Sequence, residues 1–126
     1  MINVTNANGN KNRAEFDKLL IQSVLETIES VLGRSVLEAF AHYIQTYVEI
    51  TVDEIPAHVD LLFTLLKDAF GVGGDTLGRT IIRRLYQKAG VRLEDTRAFR
   101  TKRPAIDYVE ELRQRLQNRL GASVAT

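Results

Sequence analysis

Residues 73–80 read Gly73-Gly74-Asp75-Thr76-Leu77-Gly78-Arg79-Thr80, or GGDTLGRT. The stretch matches the nucleotide-gripping loop G-x-x-x-x-G-K-[ST] at every position but one, with Arg79 standing where that loop has lysine. A phosphate loop follows a buried strand and opens a helix, which would make the chain α/β. A glycine turn between two helices would make it all-α. The ten residues before Gly71, LLFTLLKDAF, space their apolar side chains as a helix does. Arg79 is a longer fork than lysine with different geometry, and no apolar strand ending in Asp follows to hold a magnesium ion. The dinucleotide pattern G-x-G-x-x-G fails too, because Thr76 falls where its third glycine would be. The stretch therefore reads as a turn. Gly71 and Gly73 or Gly74 end one helix, and Asp75 or Thr76 caps the next. Gly78, inside that helix at a cost of about 1 kcal/mol, permits a close helix contact.

Helical periodicity extends in both directions from this turn. After an asparagine-rich lead-in over residues 1–10, expected to be disordered, Phe16, Leu19, Leu20, Val24, Ile28, Val31 and Leu32 recur every three or four residues. Gly33 ends that helix. Ser35 with Glu38 forms a capping box for a second, carrying Val36, Leu37, Phe40, Ile44, Tyr47 and Val48. The segment EITVDEIPAH (49–58) is a connector with Asp53 or Glu54 near the next helix start and Pro56 in its first turn. A third helix, about Pro56 to Phe70, presents Val59, Leu62, Phe63, Leu66 and Phe70. A fourth, about Asp75 to Ala89, presents Leu77, Ile81, Leu85 and Ala89 and stops at Gly90. After VRLEDTRAFRTKRP (91–104), a last helix from about Ala105 to Leu120 shows Tyr108, Val109, Leu112, Leu116 and Leu120, followed by a frayed tail. The expected fold is an all-α compact bundle of four to five helices. Its domain spans residues 11–93, with a basic connector and C-terminal helix over 94–126.

Composition fits a soluble globular chain of 126 residues, 44% hydrophobic and 26% charged. No apolar run approaches the roughly 18 residues of a membrane span. The polar start, MINVTNANGNKNR, lacks a signal-peptide apolar region, and there are no cysteines for disulfides or thiolate chemistry. The expected location is the cytoplasm. The net charge of +1 conceals a division: residues 1–78 hold 5 bases against 11 acids, and residues 79–126 hold 12 bases against 5 acids. Either the two parts neutralise each other, within or between chains, or the basic part meets an anionic partner.

No catalytic, cofactor or metal constellation emerges. His42 and His58 are too few for a metal site, and Glu38 stands one turn from His42 as a solvated helix pair. The neighbours Asp53-Glu54 and Glu94-Asp95 point apart and make poor acid–base partners. The basic residues Arg79, Arg83, Arg84 and Lys88 mark the fourth helix, and Arg97, Arg100, Lys102 and Arg103 follow with Phe99 among them. Like charges at i, i+4 repel unless something anionic faces them, so these eight are candidate nucleic-acid contacts. The C-terminal row Tyr108, Val109, Leu112, Leu116 and Leu120 is a candidate homodimer contact, the alternative being that it docks on the chain's own core.

From about Leu25 to Leu93 the order of features resembles the Nitrosopumilus output domains, small helical output domains of archaeal signalling proteins. The residues carrying the resemblance are VLGRSVLEAF (31–40), YIQTY (43–47), VDEIP (52–56), AFGVGG (69–74) and IIRRLYQKAG (81–90). The chain departs from the family pattern in VEITV (48–52), where a glycine is expected after the tyrosine, and in its segment beyond about Thr96. The resemblance implies a non-enzymatic regulatory or interaction module, with no catalytic residues to carry over. The leading expectation is that the module self-associates or binds a protein partner, with no cofactor and no small-molecule substrate. Nucleic-acid binding by the basic half is the alternative function.

Overall fold

The computed structural model describes the backbone of residues 4–93 and 104–125 and the side chains of residues 14–93 and 104–117. Among them are five α-helices and no strand: α1 (Val4–Leu32), α2 (Arg34–Tyr43), α3 (Val59–Phe70), α4 (Val72–Ala89) and α5 (Ala105–Ala125). A π-helical turn (Ile44–Val48) and a 3₁₀ helix (Val52–His58) lie between α2 and α3. The all-α reading holds. α1 begins inside the lead-in and α5 runs past Leu120 into the tail read as frayed. Starting a helix is costly and extending one is cheap, so residues with weak helical preference continue a helix already formed.

α4 is the shared wall of the bundle, with α1, α3 and α5 packed on it. Its buried face is Leu77, Ile81, Ile82, Leu85 and Tyr86, which meets a core containing Leu20, Val24 and Ile28 of α1 and Leu62, Leu65 and Leu66 of α3. The core face of α1 also takes in Ser23 and Thr27. Ser23 returns its proton to the Leu19 carbonyl at 2.7 Å. By contrast Val31 and Leu32, counted in the α1 stripe from their spacing, are 54% and 38% exposed. They fall where α1 runs out beside the α1–α2 reversal.

The opening stretch is not the turn itself. Gly71 alone reverses the chain, at φ 60° and ψ −132°, and α4 starts immediately at Val72. Gly73, Gly74 and Asp75 are already helical, and neither Asp75 nor Thr76 caps the helix. The segment before Gly71 is a helix, so the strand that a phosphate loop requires is missing. Gly74 has a different duty: a Cβ there would collide with the Leu66 carbonyl oxygen and lie 2.6 Å from its carbon and 2.8 Å from Lys67 Cα. The two backbones touch. At Gly78 a Cβ would meet only the Phe63 ring, at 3.3 Å.

Other boundaries moved for local reasons. α2 starts at Arg34 directly after Gly33, leaving Ser35 within its first turn with no capping bond. An N-cap needs an extended backbone, and the tight reversal leaves Ser35 none. Ile44, one turn after the buried Phe40, keeps the α2 phase and is buried, while the wider π turn that begins there shifts the register and Tyr47 is 75% exposed. The turn closes on Glu49 at φ 62°, a left-handed conformation unfavourable for a residue with a Cβ. Pro56 belongs to the 3₁₀ helix, which Thr51 starts. The Glu54 carboxylate accepts the Thr51 backbone N–H at 2.9 Å and its hydroxyl at 3.2 Å, and these bonds hold the Glu54 carboxyl below its usual range.

Two stability outcomes follow from this backbone. Gly74→Ala, which can be accommodated only by moving α3 from α4, is expected to cost about 1–3 kcal/mol. Gly78→Ala should be nearly neutral, since its gain in helix preference offsets displacement of one ring. Equal melting temperatures for the two variants would refute the backbone contact. Glu49→Gly is expected to raise stability by about 1 kcal/mol through release of the left-handed strain, read as a higher denaturant midpoint; a lowered midpoint would contradict it.

Candidate interaction surfaces

The basic residues of α4 divide into two sets. Arg84 and Lys88 turn toward α1, where Glu26 meets Arg84 Nη1 at 3.5 Å and Lys88 Nζ at 3.0 Å. Arg84 also donates to the Ser30 hydroxyl at 3.3 Å. These contacts line an open cleft with Gln87, and their order shows α1 and α4 running antiparallel. The hydrogen bond from Lys88 is the foremost cause of a Glu26 carboxyl held below its usual range; the charges of Lys88 and Arg84 add to it against some desolvation. Here the acidic and basic parts of the sequence neutralise each other within one chain.

Arg79 and Arg83 belong to the other set. Both are exposed, one helical turn apart on the outward side of α4, and neither pairs with an acid among the described residues. Arg97, Arg100, Lys102 and Arg103 lie outside the described residues. His42 stands 3.3 Å from the Thr46 hydroxyl, not in a pair with Glu38. No group of three or more His, Asp or Glu side chains suited to a metal ion occurs among the described residues.

For the C-terminal row, with its two readings of a homodimer contact or docking on the chain's own core, the centre of the row packs in the core. Val109 and Leu112 are fully buried in the chain's own core, with Tyr108 and Leu116 packed against it. The side chain of Leu120 lies outside the described residues. The fourfold leucine spacing specified a sticky face but could not say which surface it would meet; α3 and α4 supply that surface. Polar contacts fix the register. Tyr86 donates its hydroxyl proton to the Tyr108 carbonyl at 2.6 Å. Arg113 lies 5.1 Å above the Phe16 ring, bonds Glu110 at 2.9 Å and reaches the Pro56 carbonyl at 3.5 Å.

An apolar surface remains elsewhere. Tyr47 is 75% exposed and Val72 is 86% exposed. Each has a ring pair nearby: Tyr47 packs on the half-buried Tyr43 with centroids 5.2 Å apart, and Phe70 lies 6.0 Å from Phe40, which is itself buried in the core. Phe70 precedes Val72 by two residues across the Gly71 reversal. The exposure of Tyr47 was hidden in the sequence because Tyr47 keeps the α2 periodicity, which the π turn breaks. No protein-family model, curated protein or solved structure matches the chain significantly, so the reading of these surfaces rests on their own geometry.

Burial pushes the Tyr86 phenol well above the ordinary tyrosine range, with the charge of Glu111 adding to the effect. A phenol whose pKa is raised by folding contributes stability below its unfolded value of about 10, and that contribution is lost as pH rises toward the folded value. Tyr86→Phe is expected to lose about 1 kcal/mol at neutral pH with the bond to Tyr108, and to flatten the alkaline fall in stability. Denaturant melts at about pH 7 and about pH 11 check this; parallel losses in both proteins would exclude Tyr86 as the cause.

Proposed function

We propose that the chain is a non-enzymatic regulatory module of the cytoplasm that works by helix-mediated contact with a protein partner, a second copy of itself being the partner its surface favours. The single observation behind the reading is the exposure of Tyr47 and Val72. Full burial of a large apolar side chain is worth roughly 1.5–3 kcal/mol, a gain that Tyr47 and Val72 would realise at a contact. The resemblance of residues 25–93 to Nitrosopumilus output domains supports the same role. No helix of the described residues is long and apolar enough to cross a membrane. Self-association through Tyr47 and Val72 replaces the C-terminal leucine row as the proposed dimer contact.

Sedimentation velocity over a concentration series tests it. The wild type should associate in the micromolar range, and the pair Tyr47→Ser and Val72→Ser should stay monomeric. Both residues are exposed, so stability should change by no more than about 0.5 kcal/mol per substitution. A wild type that remains monomeric at high micromolar concentration would exclude self-association.

A further inference from the structure

We propose that the π turn at Ile44–Val48 is a two-register switch that decides whether Tyr47 is presented to a partner, the Ile44 carbonyl being the group for which the registers compete. The switch itself stands apart from the self-association reading, and rests on it only for what Tyr47 does once presented. In the observed register the Ile44 carbonyl accepts from the Glu49 N–H, and from the Ile50 N–H at 3.4 Å. The second bond depends on the left-handed backbone of Glu49, at φ 62° and ψ 35°. In an α register the same carbonyl takes the Val48 N–H in their place.

The two registers exchange side chains at one place beside the core. Seven residues of α-helix fall only about 20° short of two whole turns, so an α register stands Tyr47 on the line of the buried Phe40 and Ile44. The wider π turn advances each residue through a smaller angle. Tyr47 therefore stops short of that line, 75% exposed beside Tyr43, and Val48 takes the place, half-buried against the core. Each register covers one apolar side chain and releases another. The observed one carries a left-handed residue with a Cβ, a disadvantage of roughly tenfold in population. The other trades the small Val48 for the larger Tyr47 and gives up both bonds to the Ile44 carbonyl. Opposed effects of this size keep two conformations within reach of one another.

The test biases the register without touching Tyr47 and reads how open that ring is. Tyrosine nitration of the full chain by tetranitromethane, mapped by mass spectrometry with Tyr108 as internal reference, is run at a concentration low enough to keep the chain monomeric. Glu49→Gly admits the left-handed conformation freely and should hold Tyr47 at the wild-type rate or above. Glu49→Val places a β-branched residue there, and should slow Tyr47 nitration by about tenfold relative to Glu49→Gly. Val48→Ala, which removes the competing side chain and leaves Glu49 alone, should slow it severalfold. Circular dichroism melts show that each variant is folded. In sedimentation velocity the dissociation constant should rise by the factor by which the open register falls, although Tyr47 and Val72 are intact. The proposal is overturned if folded Glu49→Val and Val48→Ala both nitrate at the wild-type rate, even where the wild type associates, in which case the self-association reading stands alone. If nitration follows the register while the wild type stays monomeric throughout, the switch stands and the self-association reading falls.

Discussion

The closest constraint in this molecule is the approach of α3 and α4 at Gly74, where backbone lies against backbone at Leu66 and Lys67. Interiors are packed too densely to absorb an added methyl group at a rigid contact, so this position fixes the separation and angle of the α3–α4 pair. The sharp reversal at Gly71 brings the two helices together with one residue between them. With α4 held this way, its remaining buried face is presented to α1, and the pair α3–α4 forms the seat onto which α5 docks. The packing around α4 thus follows from the absence of one side chain.

The same helix distributes the charge of the protein. Its inner flank meets Glu26 and is neutralised within the chain, while its outer side keeps Arg79 and Arg83 in water. The difference comes from helical phase. Residues 84 and 88 stand on the flank beside α1, and residues 79 and 83 stand a fraction of a turn away, out of reach of any acid on α1 among the described residues. The opposite charges of the two parts of the sequence are therefore only partly a matter of internal pairing.

The segment after α2 shows how strain and exposure arise together. Ile44 is buried in phase with Phe40, and the chain then passes through the π turn and a left-handed Glu49 before Ile50 enters the core. Burial of Ile50 offsets the conformational cost at Glu49, and the turn between the two isoleucines leaves Tyr47 in solvent. Strained backbone beside an exposed aromatic is a combination often found at functional surfaces, which is why Tyr47 and Val72, and not the leucine row, carry the proposed self-association.

Much of the fold was legible from the sequence because helices announce themselves locally. The period of Phe16, Leu20, Val24 and Ile28, the stop at Gly90 and the helical spacing of residues 61–70 each depend on neighbours a turn away, and these were enough to reject a phosphate loop in favour of an all-α chain. Surfaces were less legible. The sequence marked Leu112 and Leu116 as apolar and Arg84 and Lys88 as basic, but burial and pairing are relations between distant residues. Tertiary packing decided that Val109 and Leu112 face α3 and α4, that Glu26 answers Arg84 and Lys88, and that Gly74 rather than Gly78 is the point of closest approach. Periodicity tells a helix which side is apolar; only the arrangement of the other helices tells it what that side will touch.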